Sequence, residues 1–105
     1  MNKKTIRSHQ NYNKDKFTKS TIFENKDCKT FLINLLPNQC VPEHQHKGKN
    51  LVIYVLTGKG KVSINNQKEL IQEGDILNLQ EDDLFSLSNC STKNLSCLVT
   101  MFNVQ

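Results

Sequence analysis

The 105-residue sequence predicts an all-β domain, a sandwich or barrel, on three observations. Short runs of Leu, Ile, Val, Phe and Thr alternate with turn signals about every eight to twelve residues, the spacing of packed antiparallel strands. No stretch sustains a helical apolar period over a useful length. The segments Gly60–Ile64 and Gln67–Ile71 flank Asn65-Asn66, and asparagine tolerates the positive φ that a two-residue type I′ hairpin turn requires. The length allows one small core and no second module.

Taken in chain order, residues 1–16 are rich in Asn and Lys, hold few core residues and read as a basic N-terminal arm, with the barrel domain expected over 17–105. Phe31–Leu36 is a strand ended by Pro37-Asn38, because proline removes a ladder donor and fixes φ. Asn50–Leu56 is a second strand, bounded by Gly58 and Gly60. The Asn65-Asn66 hairpin follows, then Asp75–Leu79 after the turn at Glu73-Gly74. Leu84–Ser88 alternates at period two, and Leu95–Val104 forms the last strand. Lys47–Asn50 reads as a polar turn, Glu81-Asp82-Asp83 as a solvated one, and Tyr54 and the phenylalanines as core.

Composition narrows the functional classes. No apolar stretch approaches the roughly 20 residues of a membrane helix, so no membrane partner is expected. The basic start lacks an apolar segment and a small-residue cleavage site, so it does not read as a secretory signal, and a cytoplasmic location is expected. Lys3, Lys4, Arg7, Lys14, Lys16 and Lys19 face only Asp15 in the first twenty residues, and they supply the net charge of +4. Without a recognition helix or stacking platform, that charge reads as a solvated leader rather than a nucleic-acid surface. Cys28, Cys40, Cys90 and Cys97 fit no zinc or redox spacing, and free buried thiols are the expectation.

The chemistry concentrates at Pro42-Glu43-His44-Gln45-His46. On a strand, residues i and i+2 share a face with Cα atoms about 6.6 Å apart, so both imidazoles can reach one point. Tyr54–Gly58 follows at a fixed spacing, and Glu73-Gly74-Asp75 comes later. This pattern resembles the two motifs of the cupin superfamily, in the form of its small single-domain proteins, over about residues 31 to 104. The resemblance implies a cupin-type jelly-roll barrel, with His44 and His46 as the paired histidines and Gly58 as the closing glycine. It also implies where donors are missing. Leu51 stands where the motif has a glutamate, and Phe85 where it has a third histidine; Asn38, Gln80 and Asp82 replace a glycine, a proline and a second glycine, while Gly74 and Asn89 fit the ends of the second motif.

A non-haem iron site needs two histidines and a carboxylate, and zinc needs at least a third protein ligand. Leu51 and Phe85 supply neither. Cys40 lies about 13 Å from His44 along an extended strand, and Glu43 has the opposite parity. Three functions stay open. The first is a small-molecule-binding or sensing barrel with a metal-poor pocket of His44, His46, Leu51 and Phe85. The second is a metal-dependent enzyme, a small dioxygenase or isomerase, with His44, His46 and an unforeseen third ligand holding a divalent ion (zinc, iron, manganese or nickel) at low occupancy. The third is a structural or partner-binding homodimer, in which the arm or an edge strand crosses to a second chain. The expected partners are therefore a small-molecule ligand and a second copy, and the sequence assigns no catalytic residue.

Overall fold

The computed structural model describes residues 1–104, so the Gln105 end of the expected domain lies outside the described residues. Nine strands follow a short 3-10 turn at Ile6–His9. They are β1 (Thr18–Glu24), β2 (Cys28–Leu35), β3 (Cys40–His44), β4 (Lys49–Thr57), β5 (Lys59–Ile64), β6 (Gln67–Gln72), β7 (Ile76–Leu79), β8 (Phe85–Ser88) and β9 (Leu95–Asn103). Two antiparallel sheets form, ordered β1-β2-β9-β4-β7 and β3-β8-β5-β6. The all-β expectation holds, and none of the described helices is long and apolar enough to cross a membrane.

The register shows why alternation makes this barrel. Directly paired residues point to the same face, and the odd-numbered residues of β2, β4 and β9 line up in inward rows. Ile53, Val99 and Phe31 make one row; Val55, Cys97 and Ile33 make the next. All six are buried. Val62, Ile71, Phe85 and Leu87 close the core from the second sheet. Fully burying side chains of this size contributes about 1.5–3 kcal/mol each. A slip of one residue would turn those rows to solvent, so the apolar pattern itself holds the register.

Two strands fall outside the ranges read from sequence, and each has a physical reason. β1 has a single buried apolar residue, Ile22, and a bulge between Thr21 and Phe23, so its alternation is weak. β3 carries Pro42 at an irregularity between Val41 and His44, as proline in an edge strand does. Lys49, read as turn, begins β4 one residue before Asn50, the expected strand start.

The arm lies against the chain's own barrel. Asn34 and Ser96 have the parity of the outer face yet are fully buried. The Asn34 amide donates to the His9 carbonyl at 2.8 Å, and the Ser96 hydroxyl donates to Asn34 Oδ1 at 2.7 Å. Nδ1 of His9 meets the Ser20 hydroxyl at 2.7 Å, and the Gln39 amide donates to the Asn13 carbonyl at 2.6 Å. The arm thus satisfies polar groups that would otherwise be costly to bury.

Two of the thiols correct the expectation of burial. Cys97 is sealed in the core, and burial pushes its thiol up to about 12. Cys40 and Cys90 are exposed, Cys28 is half-buried, and all four are free. Tyr54 and Phe23 also differ from the core assignment, since both point to solvent on the outer side.

The hairpin turn is as expected: Asn65 and Asn66 have φ of 52° and 68°. Asn65 also accepts from the Leu84 amide and donates to Asp83, at 2.9 Å each, tying the hairpin to the solvated Asp82-Asp83 turn. Asn65→Ala should therefore lower stability by about 1–3 kcal/mol, while Asn66→Gly, which keeps the positive φ at no steric cost, should leave it unchanged or raise it. Urea unfolding of the two variants checks both signs.

Candidate functional site

His44 ends β3, and His46 lies two residues beyond it, in the loop that leads into β4. His46 therefore is not itself on a strand. The turn at Lys47-Gly48 folds the loop back, with Gly48 at φ 75° and the Lys49 amide donating to the His46 carbonyl at 3.1 Å. This brings the two Nε2 atoms to 2.8 Å and sets the rings edge to face, with centroids 4.6 Å apart. Phe85, the register partner of His44, stacks edge-on at 5.7 Å.

The hydrogen bonds decide the tautomers. His44 Nδ1 lies 2.8 Å from the Pro42 carbonyl, an oxygen that can only accept, so this nitrogen carries a proton. In the neutral ring Nε2 is then the acceptor, and His46 donates to it from its own Nε2. Burial first, then the charges of His44 and Lys19, hold His46 below the ordinary histidine value. A proton added to His46 goes to its Nδ1 and leaves the bond between the rings in place.

Leu51 sits deeper. It is 3% exposed, in an inward row between Leu79 and Met101. Phe85 is buried beside the imidazoles, whereas Leu51 belongs to the core beneath the mouth. Glu43, expected from parity to point away, borders the same small cavity as His44, because the bulge in β3 breaks the alternation. That cavity has a volume of about 200 Å³ and is bounded also by Phe17, Lys19, Val41 and Pro42. Larger depressions of about 440 and 420 Å³ lie past the other end of β4, around Gly58, Lys59 and Ser91, and contain neither imidazole.

Two side chains at the mouth escape the sequence reading. Lys19 pairs with Ile33 and therefore faces inward, and Lys29 shares its row with Met101 and Leu51. Their ammonium groups lie 5.2 and 5.4 Å from the centroid of the Phe31 ring. The available signal is parity: Lys29, Phe31, Ile33 and Leu35 alternate on one face, and a lysine in phase with three core residues must end at the barrel opening.

The donor set is short for a metal. Two converging Nε2 atoms can ligate one ion, with nitrogen bonds of about 2.0–2.1 Å for zinc. Among the described residues, however, no three of His, Cys, Asp and Glu come together to hold a metal ion. The residues present do not complete either the zinc or the facial-triad pattern.

The comparisons fit this geometry. Residues 31–101, most of the chain, match the family model for the cupin domain. The chain belongs to the cupin family. Among solved structures, this cupin resembles a protein from Thermus thermophilus at 25% identity and TM-score 0.92, covering 98% of each chain. An uncharacterized conserved protein with a double-stranded β-helix domain from Klebsiella pneumoniae also superposes at TM-score 0.92, with 13% identity and coverage of 98% and 90%. An RmlC-like cupin from Desulfovibrio desulfuricans gives TM-score 0.78 at 19% identity, covering 88% and 87%. No curated protein matches the sequence.

The depressed His46 value has a consequence for stability. An unfolded chain binds this proton at the ordinary value of 6.5, and the folded cupin binds it only at lower pH. The unfolded state therefore holds more protons between the two values, and acidification weakens the fold from about pH 6.5 until the folded value is passed. An NMR titration should place the His46 midpoint below 6.5, and His46→Gln should reduce the loss of stability in that window.

Proposed function

We propose that this cupin is a small-molecule-binding or sensing barrel, whose ligand seats at the mouth beside His44, His46 and Phe85 without a tightly held metal. The supporting observation is the imidazole pair, satisfied by its own hydrogen bond and by the Pro42 carbonyl, against an aromatic wall and with no third donor among the described residues. A cavity with apolar walls and a few converging polar groups suits an organic ligand. His46 keeps Nδ1 as an acceptor in the tautomer derived above. A cytoplasmic location belongs to the same reading.

Elemental analysis of untagged protein should find well below one metal per chain. Stoichiometric iron, zinc, manganese or nickel would end the proposal and favour the metal-dependent dioxygenase or isomerase. In that case His44→Ala/His46→Ala should remove both the metal and the activity.

A homodimer is part of the proposal on a separate observation. On the outer side of the five-stranded sheet, Tyr54 and Ile76 are register partners, and they are 37% and 65% exposed. Paired exposed apolar groups on a sheet face are a surface that a second copy can cover. Light scattering should report a dimer for the wild type, and Tyr54→Ser/Ile76→Ser should shift it to monomer; an unchanged dimer rejects this face.

A further inference from the structure

Two lysines stand at the mouth of this barrel. Lys19 and Lys29 come from different strands, yet both lean over Phe31, which is 2% exposed. Lys19 borders the cavity that His44 also borders. A second depression of about 450 Å³, along Asn13, Lys16, Phe17, Thr18 and Lys19, adjoins that cavity across Phe17 and Lys19. Partial burial and the Lys29 charge hold Lys19 below the ordinary lysine value, although the side chain is exposed by total area. The two ammonium groups repel each other, and an anion beside them relieves that repulsion.

The acidic groups nearby do not fill that role. Glu43 borders the cavity but is exposed at the rim, and Glu24, opposite Lys29 in register, is exposed on the edge strand β1. The apolar lining comes from Phe17, Val41 and Pro42. Resting on the reading of the mouth as a ligand site, we propose that its ligand is a small organic carboxylate. The carboxylate sits by the Lys19 and Lys29 ammonium groups, and the apolar body lies against Phe17 and Val41. The His44 ring borders the same cavity and lies beside the bound molecule. Charge-assisted hydrogen bonds from two ammonium groups give the carboxylate its advantage over a neutral ligand of the same shape.

The test uses the full chain with benzoate, benzamide and inorganic phosphate as probes, read by calorimetry and by the NMR resonances of His44, His46 and Phe31. Benzoate should saturate the site and shift all three residues, and benzamide should bind weaker by about tenfold or more. Lys19→Met/Lys29→Met should cost a similar factor. Lys19→Arg/Lys29→Arg, which keeps the charge, should retain binding and controls for folding. Glu43→Gln should tighten it. Equal affinity for benzoate and benzamide overturns the carboxylate inference while leaving the ligand site standing. Phosphate binding as tightly as benzoate, or an unchanged affinity in the double methionine variant, also overturns it. If neither aromatic probe moves the histidine resonances, the inference and the ligand-site reading fall together.

Discussion

Everything in this molecule depends on the period-two register that turns one face of β2, β4 and β9 inward. The rows Ile53–Val99–Phe31 and Val55–Cys97–Ile33 fill the space between the sheets. Continued one row toward the mouth, the same register sets Leu51 beside Met101 and Met101 beside Lys29. In the second sheet it sets Phe85 opposite His44. The site is the place where these rows run out of apolar residues. Its composition follows from the packing and not from a separate structural element.

Two local devices then shape it. The irregularity around Pro42 in β3 releases Glu43 from strict alternation, and the turn at Lys47-Gly48 returns His46 to His44. The pair reaches satisfaction without an ion. This matters because an imidazole at a half-buried mouth needs a partner for its N–H, and desolvating it unpaired would cost about 1–3 kcal/mol. A carboxylate at the Leu51 position would change the balance, since a buried charge must be compensated or neutralised. With leucine there, no such demand for a cation arises, and the charges at the mouth are those of Lys19 and Lys29, with Glu43 at the rim.

Much of the fold was legible because its signals are local. The Asn65-Asn66 turn announced its hairpin through two residues that accept positive φ, and both adopt it. Gly58, the closing glycine of the first motif, has φ 89°, and a Cβ there would collide with the Asn94 carbonyl oxygen, so the spacing reports a real close approach. β1 and the exact course of β3 were not legible, because a bulge in each interrupts the period on which strand recognition rests. The exposure of Cys40, Cys90 and Tyr54 was hidden for another reason: residue type alone does not tell which face of a strand is covered. At the site, the histidines were marked by their spacing, whereas Lys19 and Lys29 were not, since a lysine at a strand end reads as surface until the register shows it facing inward. The docking of the arm on Asn34 and Ser96 depends on contacts between distant segments that no local pattern encodes.

The central claim is that the two imidazoles are held by each other rather than by an ion. It is tested most directly by the nitrogen-15 spectrum of histidine-labelled protein, recorded as isolated and then with added zinc. The account predicts a neutral His46 above its midpoint, ring protons at Nδ1 of His44 and at Nε2 of His46, and only weak, fast-exchanging changes with zinc. Both Nε2 atoms metal-ligated in the isolated protein, or a slowly exchanging one-to-one zinc complex, would contradict it.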